Sequence, residues 1–350
     1  MSFHRIVHAA LPSILGIALM SQNPVLAADD GTYRPLPRDA NSKGGAAIPV
    51  GVKFRPNVPF QSGDSQSSLH LDLAYPIAGK GPFPAVLCLH GGAWTTGSRK
   101  TISVIFELAR RGYVAASADY RLAPAHPYPA AIHDSKAAVR WLRANAKELK
   151  IDPERIAIVG YSSGGYLGLM VGCTDGNPFM EGPCEGLGAA VCVAGVVGMR
   201  GAATAFVPNG KYSSRVQAVV SHYGVTDLEE LYRSNVTNGN ALAAVGTRIA
   251  LAAFLGGTPE KLRTRYREAS PVWKIHADIP PILLTHGTAD WMSPAAQSRL
   301  FAERARKMGG EVEEVILEGA EHGYGSGIGG RFGCRADDEM FVFLARRLKP

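Results

Sequence analysis

A glycine-flanked pair of serines has the residue types and spacing that most directly predict chemistry. The stretch IVGYSSGGYLG lies between an apolar run and a helical one. Gly160, Ser162 and Gly164 match the Gly-x-Ser-x-Gly pattern, in which small residues let a strand reverse sharply into a helix and expose the serine oxygen. If the pattern is set on Ser163 instead, Tyr161 takes the place of the first glycine and crowds the reversal. The sequence therefore predicts that Ser162 is a nucleophile.

The same turn has two other interpretations, a phosphate-binding loop and a purely structural turn. No Gly-Lys-Ser/Thr follows it and it lacks the GxGxxG spacing, so the sequence disfavours a phosphate site. A structural turn stays open on this motif alone, because small residues gather in turns for backbone reasons. The catalytic interpretation therefore depends on partners elsewhere in the chain.

The base and the acid that a serine nucleophile needs are predicted near the end of the chain. LLTHGTAD ends a strand-like run at Asp290, and ILEGAEHGY carries His322 after the final one. Serine, acid and histidine follow in this order in α/β-hydrolases, so we expect Asp290 to be the acid and His322 the base. Asp227, after another strand-like run, is the rival for the acid. His286 lies in the same turn as Asp290 and is poorly placed to act as the base.

A second glycine turn supplies candidate donors for a developing negative charge. HGGAW, residues 90–94, closes a strand-like run and is similar to the HGGG-type loop of esterases. We expect the oxyanion donors to be the N–H groups of Gly92, Ala93 and Ser163, the last at a helix N-terminus where N–H groups are unpaired. His90 is expected to fix the loop, and a plain glycine turn is the alternative.

Four aromatic residues neighbour these elements in the sequence and are candidates to line a substrate pocket: Trp94, Tyr161, Trp291 and Tyr324. Packing around the site is an equal alternative for each, because aromatic side chains dominate cores generally. No Cys or His spacing typical of zinc occurs. We therefore expect no metal site.

Strand-like and helical runs alternate along most of the sequence. Seven short apolar runs predict strands: LHLDLAYP, FPAVLCLHG, GYVAASADY, ERIAIVGYS, VQAVVSHYG, PPILLTHGTAD and EVEEVILEGA. Helical spacing occurs in KTISVIFELARR, AIHDSKAAVRWLRANAKELK, SGGYLGLMVG, and residues 293–308 and 336–348. LHLDLAYP alternates apolar and polar residues as an edge strand does. The pattern predicts an α/β fold with a mainly parallel central sheet and helices on both faces.

The N-terminus has the features of a signal peptide over residues 1–27. Arg5 precedes the apolar run IVHAALPSILGIALM, and VLA ending at Ala27 supplies the small residues that a signal peptidase recognises. We expect cleavage after Ala27, a secreted or periplasmic protein, and no stable membrane span after cleavage. An uncleaved anchor is the alternative, although the apolar run is short for a span and is interrupted by Pro12.

The remaining chain is predicted to form one catalytic domain. Residues 28–56 are rich in Pro, Gly and charges and are predicted to be an extended leader, which leaves residues 57–350 for the domain. Residues 173–215 break the strand–helix alternation. This insert is either a ligand-binding loop over the strand ends or a structural excursion.

Composition predicts a globular protein and disfavours nucleic acid as a partner. The apolar fraction is 46% and the charged fraction 19%, as in core-forming domains. The net charge is +7, but Lys and Arg are scattered, and no basic run is interleaved with aromatic residues.

The sequence has five cysteines. If the protein is exported, the oxidising environment permits disulfides between them, and the odd number leaves one thiol unpaired. Cys173 and Cys184 bracket the turn-rich TDGNPFMEGP and are the favoured pair. Cys192 with Cys334 is a second possible pair. Cys88 lies in a strand-like run, where it is interpreted as a small core residue.

Taken together, the motifs resemble a known family of esterases. HGGAWTTGSRK, DYRLAPAHPYPAAIHDSKAAVRWLRANAKELKIDPERIAIVGYSSGGYLG, RVQAVVSHYGVTDL, ASPVWKI, HGTAD and EGAEHG look like the α/β-hydrolase esterases of the bifunctional feruloyl and acetyl xylan esterase type, relatives of the hormone-sensitive-lipase group. The similarity covers roughly residues 57–348. It implies a serine carboxylic ester hydrolase without a cofactor, whose nucleophile, acid and base fall on Ser162, Asp290 and His322.

The sequence also departs from that pattern. Ala93 replaces a third glycine of the loop, and Ser163 stands where alanine is common. The insert at 173–215 and the run GYGSGIGGRFGC depart most, so the resemblance says little about the substrate. Within DYRLAP, Asp119 and Arg121 are expected to be structural and to pair across a turn.

The sequence therefore predicts an exported serine esterase acting on short-chain acyl esters or on feruloyl and acetyl esters linked to polysaccharides. A serine peptidase of the prolyl-oligopeptidase type is one alternative, disfavoured because no large domain precedes residue 57. A non-catalytic binding protein with the same fold is the other, and it would be expected to lack part of the Ser-Asp-His set.

Overall fold

An eight-stranded sheet forms the centre of the molecule. The computed structural model describes residues 25–27, 33–35, 48–61, 68–182, 209–234, 241–324 and 331–349. The strands of this sheet are β3 (Val52–Gln61), β4 (Leu69–Pro76), β5 (Phe83–Leu89), β6 (Val114–Ala118), β7 (Ile151–Tyr161), β8 (Ala218–His222), β9 (Ile282–Gly287) and β10 (Val312–Leu317). Their order is β10-β9-β8-β7-β5-β6-β4-β3, and all neighbours are parallel except β3 with β4 and β4 with β6. All seven predicted strands are thus confirmed.

Helices cover both faces of the sheet, which confirms the predicted fold class. The helices are α1 (Val104–Arg110), α2 (Ala130–Ala144), α3 (Ala146–Leu149), α4 (Ser163–Cys173), α5 (Pro178–Glu181), α6 (Leu228–Arg233), α7 (Ala241–Leu255), α8 (Pro259–Glu268), α9 (Ala296–Lys307) and α10 (Arg331–Leu348). α2 and α4 contribute apolar side chains to the core on one face, and α1 and α10 contribute to the core on the other. Strand side chains alternate between the two cores, so Leu87 faces one and Cys88 the other.

The prediction that LHLDLAYP is an edge strand is wrong. This strand, β4, lies between β3 and β6. The alternation misled the prediction because the polar residue Asp72 is not turned to solvent: it is 6% exposed and pairs with Arg99. The edge strand on this side of the sheet is β3, whose prolines and register shifts are typical of edge strands.

The N-terminal part of the described chain adds two short strands. β1 (Val25–Ala27) pairs antiparallel with β2 (Tyr33–Pro35) in a separate sheet, and the predicted cleavage site follows the last residue of β1. The predicted boundary between leader and domain, between residues 56 and 57, falls inside β3. Residues 1–24 of the predicted signal peptide lie outside the described residues. Among the described helices, none has both the length and the apolarity to cross a membrane.

The two ends of the predicted insert are held on α2. Residues 183–208 lie outside the described part of the chain. Lys136 Nζ donates to Glu181 Oε1 at 2.6 Å and to Ser214 Oγ at 3.4 Å, and Arg140 donates to Glu181 Oε2 at 2.8 Å. The Lys136 side chain is fully buried, whereas Glu181 is partly exposed, so the ion pair closes the interior at its edge.

The described cysteines Cys88, Cys173 and Cys334 have free thiols. Cys184 and Cys192, the partners in the two expected pairs, lie outside the described residues, so both disulfides stay predictions. Cys173 ends α4 inside the core, where burial raises its pKa to about 12.

Asp119 and Arg121 are both structural, as expected, but each has a different partner. Asp119 accepts hydrogen bonds from Arg99. Arg121 donates to the buried Asp134 through its backbone N–H and its guanidinium, with the ion pair at 2.8 Å. The partners lie in different parts of the chain, Arg99 before α1 and Asp134 in α2, so Asp119 and Arg121 do not pair with each other.

Candidate active site

Ser162 lies on a sharp turn between β7 and α4. Its backbone has φ 55° and ψ −117°, a left-handed conformation that non-glycine residues rarely adopt. The turn requires small neighbours, because a Cβ on Gly160 would overlap the Gly164 carbonyl and one on Gly164 would overlap the Leu89 carbonyl. The Ser162 N–H donates to the His222 carbonyl at 2.9 Å, which fixes the turn to the end of β8.

His322 and Asp290 are brought to this serine from the far end of the chain. His322 follows β10, and its Nε2 lies 3.0 Å from Ser162 Oγ. Its Nδ1–H donates to Asp290 Oδ2 at 2.7 Å, in the loop after β9. The three side chains therefore form one hydrogen-bonded chain, in which the carboxylate fixes the tautomer that leaves Nε2 free to accept the serine proton.

Asp290 is buried and surrounded by donors. It is 4% exposed, and its Oδ1 accepts the N–H groups of Met292 at 2.9 Å and Ser293 at 2.8 Å. Burial by itself raises the pKa of this carboxyl, but the charge of His322 and hydrogen bonds from His286 and His322 outweigh it and hold the pKa well below its ordinary value. The group is therefore a carboxylate at neutral pH.

His286 is not placed as a base, as expected, but it contacts the acid. Its Nε2–H donates to the Ser293 carbonyl at 2.7 Å and also lies 3.2 Å from Asp290 Oδ2. Ser298 Oγ lies 2.7 Å from its Nδ1. Sequence analysis missed this role, although the spacing of His286 four residues before Asp290 is the signal that could have indicated it.

Asp227, the rival acid, serves a helix instead. It precedes α6, and its carboxylate accepts the Glu230 N–H at 3.0 Å as an N-cap. Its own N–H donates to Gln297 Oε1 at 2.7 Å. The structure therefore joins Asp290, and not Asp227, to the imidazole of His322.

The three predicted oxyanion donors have no acceptor in the part of the chain that the structure describes. Across the described ranges, the N–H groups of Gly92, Ala93 and Ser163 donate to no other residue. Ser163 begins α4, and its own hydroxyl is buried and lies 3.4 Å from Tyr120 Oη. The available N–H groups are suited to stabilise an oxyanion formed at Ser162.

His90 holds this loop, as expected. Its Nδ1–H donates to the Gly91 carbonyl at 2.7 Å, and its ring stacks on Tyr120 at 4.1 Å between centroids. Tyr120 in turn donates to the His90 carbonyl at 2.9 Å. Burial lowers the pKa of His90 to about 4, so the ring is neutral at neutral pH.

Two of the four predicted pocket residues are buried, which favours packing for them. Trp94 is 3% exposed and stacks on Phe254 at 4.5 Å. Tyr161 is 6% exposed and stacks on His222 at 4.8 Å. Trp291 and Tyr324 remain partly exposed beside the triad residues.

Tyr223 is a contact of His322 that sequence analysis missed. Its ring meets the imidazole in a T-shaped arrangement at 4.8 Å and meets Tyr324 at 5.1 Å. Tyr223 has φ 42° directly after β8, so its position depends on the backbone turn there. No sequence pattern marks such a residue.

Within the described ranges, no group of three or more His, Cys, Asp or Glu side chains is arranged to hold a metal ion. The site is a hydrogen-bonded serine, histidine and carboxylate beside free backbone N–H groups, on a mainly parallel sheet with helices on both faces. This combination defines an α/β-hydrolase.

Family comparison agrees with this class. The BD-FAE family model matches residues 71–305, more than half of the chain, and the protein belongs to that family. Esterase LipC of Mycobacterium tuberculosis is 33% identical over 258 residues, which are 73% of this chain and 56% of LipC. The chain spans about half the length of the curated relatives that it matches, such as LipC, LipM and LipQ.

Solved structures share the architecture. The esterase Est2 of Thermogutta terrifontis with bound butyrate is 27% identical, with a TM-score of 0.62 over 86% of this chain and 96% of that one. A truncated carbohydrate esterase from gut microbiota has a TM-score of 0.66 over 84% of this chain and 96% of that one. At 24% identity, the second similarity establishes the fold alone.

Proposed function

We propose that the protein is a serine carboxylic ester hydrolase in which Ser162 is the nucleophile, His322 the base and Asp290 the acid. The observation that carries this proposal is the chain of hydrogen bonds from Asp290 through His322 to Ser162 Oγ, at 2.7 and 3.0 Å. Ser162, at one end of this chain of hydrogen bonds, lies on the strained turn that begins α4. The names of LipC and Est2, both esterases, support the same activity.

In the first half of the reaction, His322 Nε2 takes the proton of Ser162 and Oγ attacks the ester carbonyl carbon. The carbonyl oxygen becomes an oxyanion, which the N–H groups of Gly92, Ala93 and Ser163 stabilise. Loss of one such donor in comparable sites costs about 2.7–4 kcal/mol of the barrier. The C–O bond then breaks, and His322 gives its proton to the departing alcohol.

In the second half, water attacks the acyl group on Ser162. His322 takes the proton of the water, a second oxyanion forms at the same N–H groups, and the acid leaves as Ser162 regains its proton. Asp290 stabilises the imidazolium in both halves. Its lowered pKa fits this part, because a carboxylate that stays charged is needed beside a transient cation.

We further propose esters of small acyl groups as substrates. Est2, at 27% identity, is known with propionate and with butyrate bound. Feruloyl and acetyl esters linked to polysaccharides are the second class, which rests on the motif resemblance and on membership of the BD-FAE family. The partly exposed Trp291 and Tyr324 would border either acyl group.

Hydrolysis of p-nitrophenyl acetate, p-nitrophenyl butyrate, longer p-nitrophenyl esters and methyl ferulate tests both points. We expect Ser162→Ala to lose at least about a thousandfold in kcat. Ser163→Ala is the matched control, because only its amide is used, and it should keep turnover close to wild type. Turnover that survives in Ser162→Ala and is lost in Ser163→Ala would reverse the assignment.

The acyl series separates the substrate classes. Turnover highest for acetate to butyrate supports small acyl esters, and faster release of ferulate supports the second class. A wild-type protein that hydrolyses none of these esters, but cleaves prolyl peptides, would replace the proposal with a peptidase.

We also propose export, which rests on the N-terminal pattern around Arg5, Pro12 and Ala27. Expression of the full chain with a C-terminal tag, followed by fractionation and N-terminal sequencing, tests it. Cleavage after Ala27 would leave Ala28 as the first residue of the mature protein. A cytoplasmic protein that retains Met1 would overturn it.

A further inference from the structure

Two of the proposed oxyanion donors, the N–H groups of Gly92 and Ala93, lie in the same loop. The direction of each N–H is fixed by the carbonyl group of the same peptide. In a planar trans peptide, the C=O of one residue and the N–H of the next point in opposite directions. The Gly92 carbonyl therefore aims the Ala93 N–H, and the Gly91 carbonyl aims the Gly92 N–H. The groups that bind these carbonyls decide whether the donors face Ser162.

Four donors converge on the Gly92 carbonyl. The N–H groups of Thr95 and Thr96 each donate to it at 3.0 Å. The hydroxyl groups of the same residues add contacts at 3.4 Å for Thr95 and 3.2 Å for Thr96. Because both residues lie downstream of the loop, its geometry depends on where they are held.

The loop needs such support because two consecutive residues are left-handed. Ala93 has φ 51° and Trp94 has φ 62°. L-residues disfavour this conformation, and it persists where the surrounding structure holds it. Without its contacts, the Gly92–Ala93 peptide would be free to rotate and turn its N–H away.

Residues 95–99, called here the backing segment, lie directly behind both peptides. A Cβ on Gly97 would overlap His90 Nδ1 and the Gly91 carbonyl, so the segment approaches as closely as a backbone can. The backing segment thus contacts the Gly91 carbonyl through Gly97 and the Gly92 carbonyl through Thr95 and Thr96.

Arg99 anchors the backing segment to the sheet. Its Nε donates to Asp72 Oδ1 at 2.8 Å, and its other guanidinium nitrogens donate to Asp119 and Asn57. Its backbone N–H donates to Asp119 Oδ1 at 2.9 Å, and its carbonyl accepts the Ser117 hydroxyl at 2.8 Å. The side chain is 8% exposed, so these bonds are shielded from water.

We propose that Thr96 and Arg99 are positioning residues for the oxyanion hole, an inference that rests on the proposed ester hydrolysis. Thr96 holds the peptide that carries the Ala93 N–H. Arg99 holds the backing segment against β4 and β6 and, through Asn57, against the edge strand β3. Both residues act through the loop, since neither supplies one of the proposed oxyanion N–H groups.

Thr96→Val is the first test, because valine keeps the branched shape and removes only the hydroxyl. We expect kcat for p-nitrophenyl butyrate to fall roughly tenfold, less than the loss of a whole donor, with KM within about twofold of wild type. Thr96→Ser keeps the hydroxyl and should restore kcat. A trifluoromethyl ketone, whose adduct on Ser162 carries an oxyanion, should bind Thr96→Val more weakly by the same factor.

Arg99→Lys tests the anchor, since lysine keeps the charge and loses the planar set of donors. We expect a larger fall in kcat than in Thr96→Val, again with little change in KM. Removal of a buried ion-pair partner can prevent folding, so Asn57→Gly is the milder variant, because glycine adopts the φ of 57° at this position without strain. It removes one guanidinium contact, leaves both carboxylates paired, and should lower kcat about two- to threefold.

Hydrogen exchange over residues 90–98 gives a readout that is independent of activity. The N–H groups of Thr95 and Thr96 donate to Gly92, so they should exchange faster in Thr96→Val than in wild type or Thr96→Ser. If wild type hydrolyses no ester, the proposed function fails while this exchange still tests the positioning role. Unchanged kcat, inhibitor affinity and exchange in Thr96→Val would overturn the inference.

Discussion

The Nε2 atom of His286 lies 3.2 Å from Oδ2 of Asp290, the same oxygen that accepts the hydrogen bond from His322. Asp290 is therefore held between two imidazoles, one from the end of β9 and one from the loop after β10. His286 orients the carboxylate, and the carboxylate in turn orients the imidazole of His322 and stabilises its positive charge. This relationship makes the acid part of a buried network instead of a single pair.

Replacement of His286 by Phe should impair catalysis without removing any reacting group. A hydrogen bond to a charged group contributes about 1.5–3 kcal/mol, and Asp290 keeps its other donors, so kcat/KM is expected to fall about tenfold. Ser298→Ala is the control, because it removes the partner of Nδ1 and leaves Nε2 in place. Steady-state kinetics of His286→Phe within twofold of wild type would contradict this role.

The lowered pKa of Asp290 predicts a pH-dependent part of stability. In the unfolded chain the carboxyl titrates near its ordinary value of 3.8, whereas in the folded protein it titrates below that value. Its stabilising effect is therefore complete above pH 3.8 and is lost as the pH falls further. Urea unfolding of wild type and Asp290→Asn should differ most near pH 6, and the difference should begin to shrink as the pH falls below 3.8. A difference that stays constant over this range would contradict the prediction.

Ala93→Gly should be tolerated. Glycine adopts φ 51° without strain, which offsets the entropy that glycine loses on folding. We expect a change in the free energy of unfolding between zero and about 1 kcal/mol of stabilisation, with kcat close to wild type. Ala93→Val is the opposite variant, since a β-branched residue is strained at this φ. Thermal unfolding and ester hydrolysis of both variants check the pair, and a clearly destabilised glycine variant would refute it.

Tyr223 is expected to restrict the imidazole of His322 through its ring. Tyr223→Phe keeps the T-shaped contact at 4.8 Å and should retain kcat. Tyr223→Ala removes the ring and should lower kcat about tenfold, the loss of an aromatic contact of up to about 1.5 kcal/mol. Steady-state kinetics of Tyr223→Phe and Tyr223→Ala, at a temperature where both variants are folded, measure this difference. Equal kcat values for the two variants would show that the ring does not position His322.

Glu181 should be important for stability and not for chemistry. Glu181→Gln leaves the fully buried Lys136 without its carboxylate. Breaking a buried pair costs about 3–5 kcal/mol, and because Glu181 is 23% exposed we expect the lower end of that range. The double variant Lys136→Met/Glu181→Gln should regain part of the loss. Urea unfolding measures both, and a single variant as stable as wild type would contradict the argument.

The sequence was sufficient for seven of the eight strands of the central sheet and for the serine, acid and histidine of the candidate site. The seven predicted strands exist because short apolar runs between turns have few other ways to bury their side chains. Ser162, Asp290 and His322 were recognisable because each follows a strand, and the structure joins them by hydrogen bonds. Ser162 could be chosen over Ser163 because the constraint is local, a Cβ that Gly160 and Gly164 cannot accommodate.

Only the tertiary structure decided which polar residues pair and which rings are buried. Asp72 looked solvent-facing in its alternating strand, yet it binds Arg99, which also holds Asn57 from β3. Trp94, expected near a pocket, stacks on Phe254 from α7. Such contacts join residues far apart in the chain, and they depend on where whole elements pack. The local sequence determines the turn that carries Ser162. The directions of the backbone N–H groups around it depend on how the elements pack.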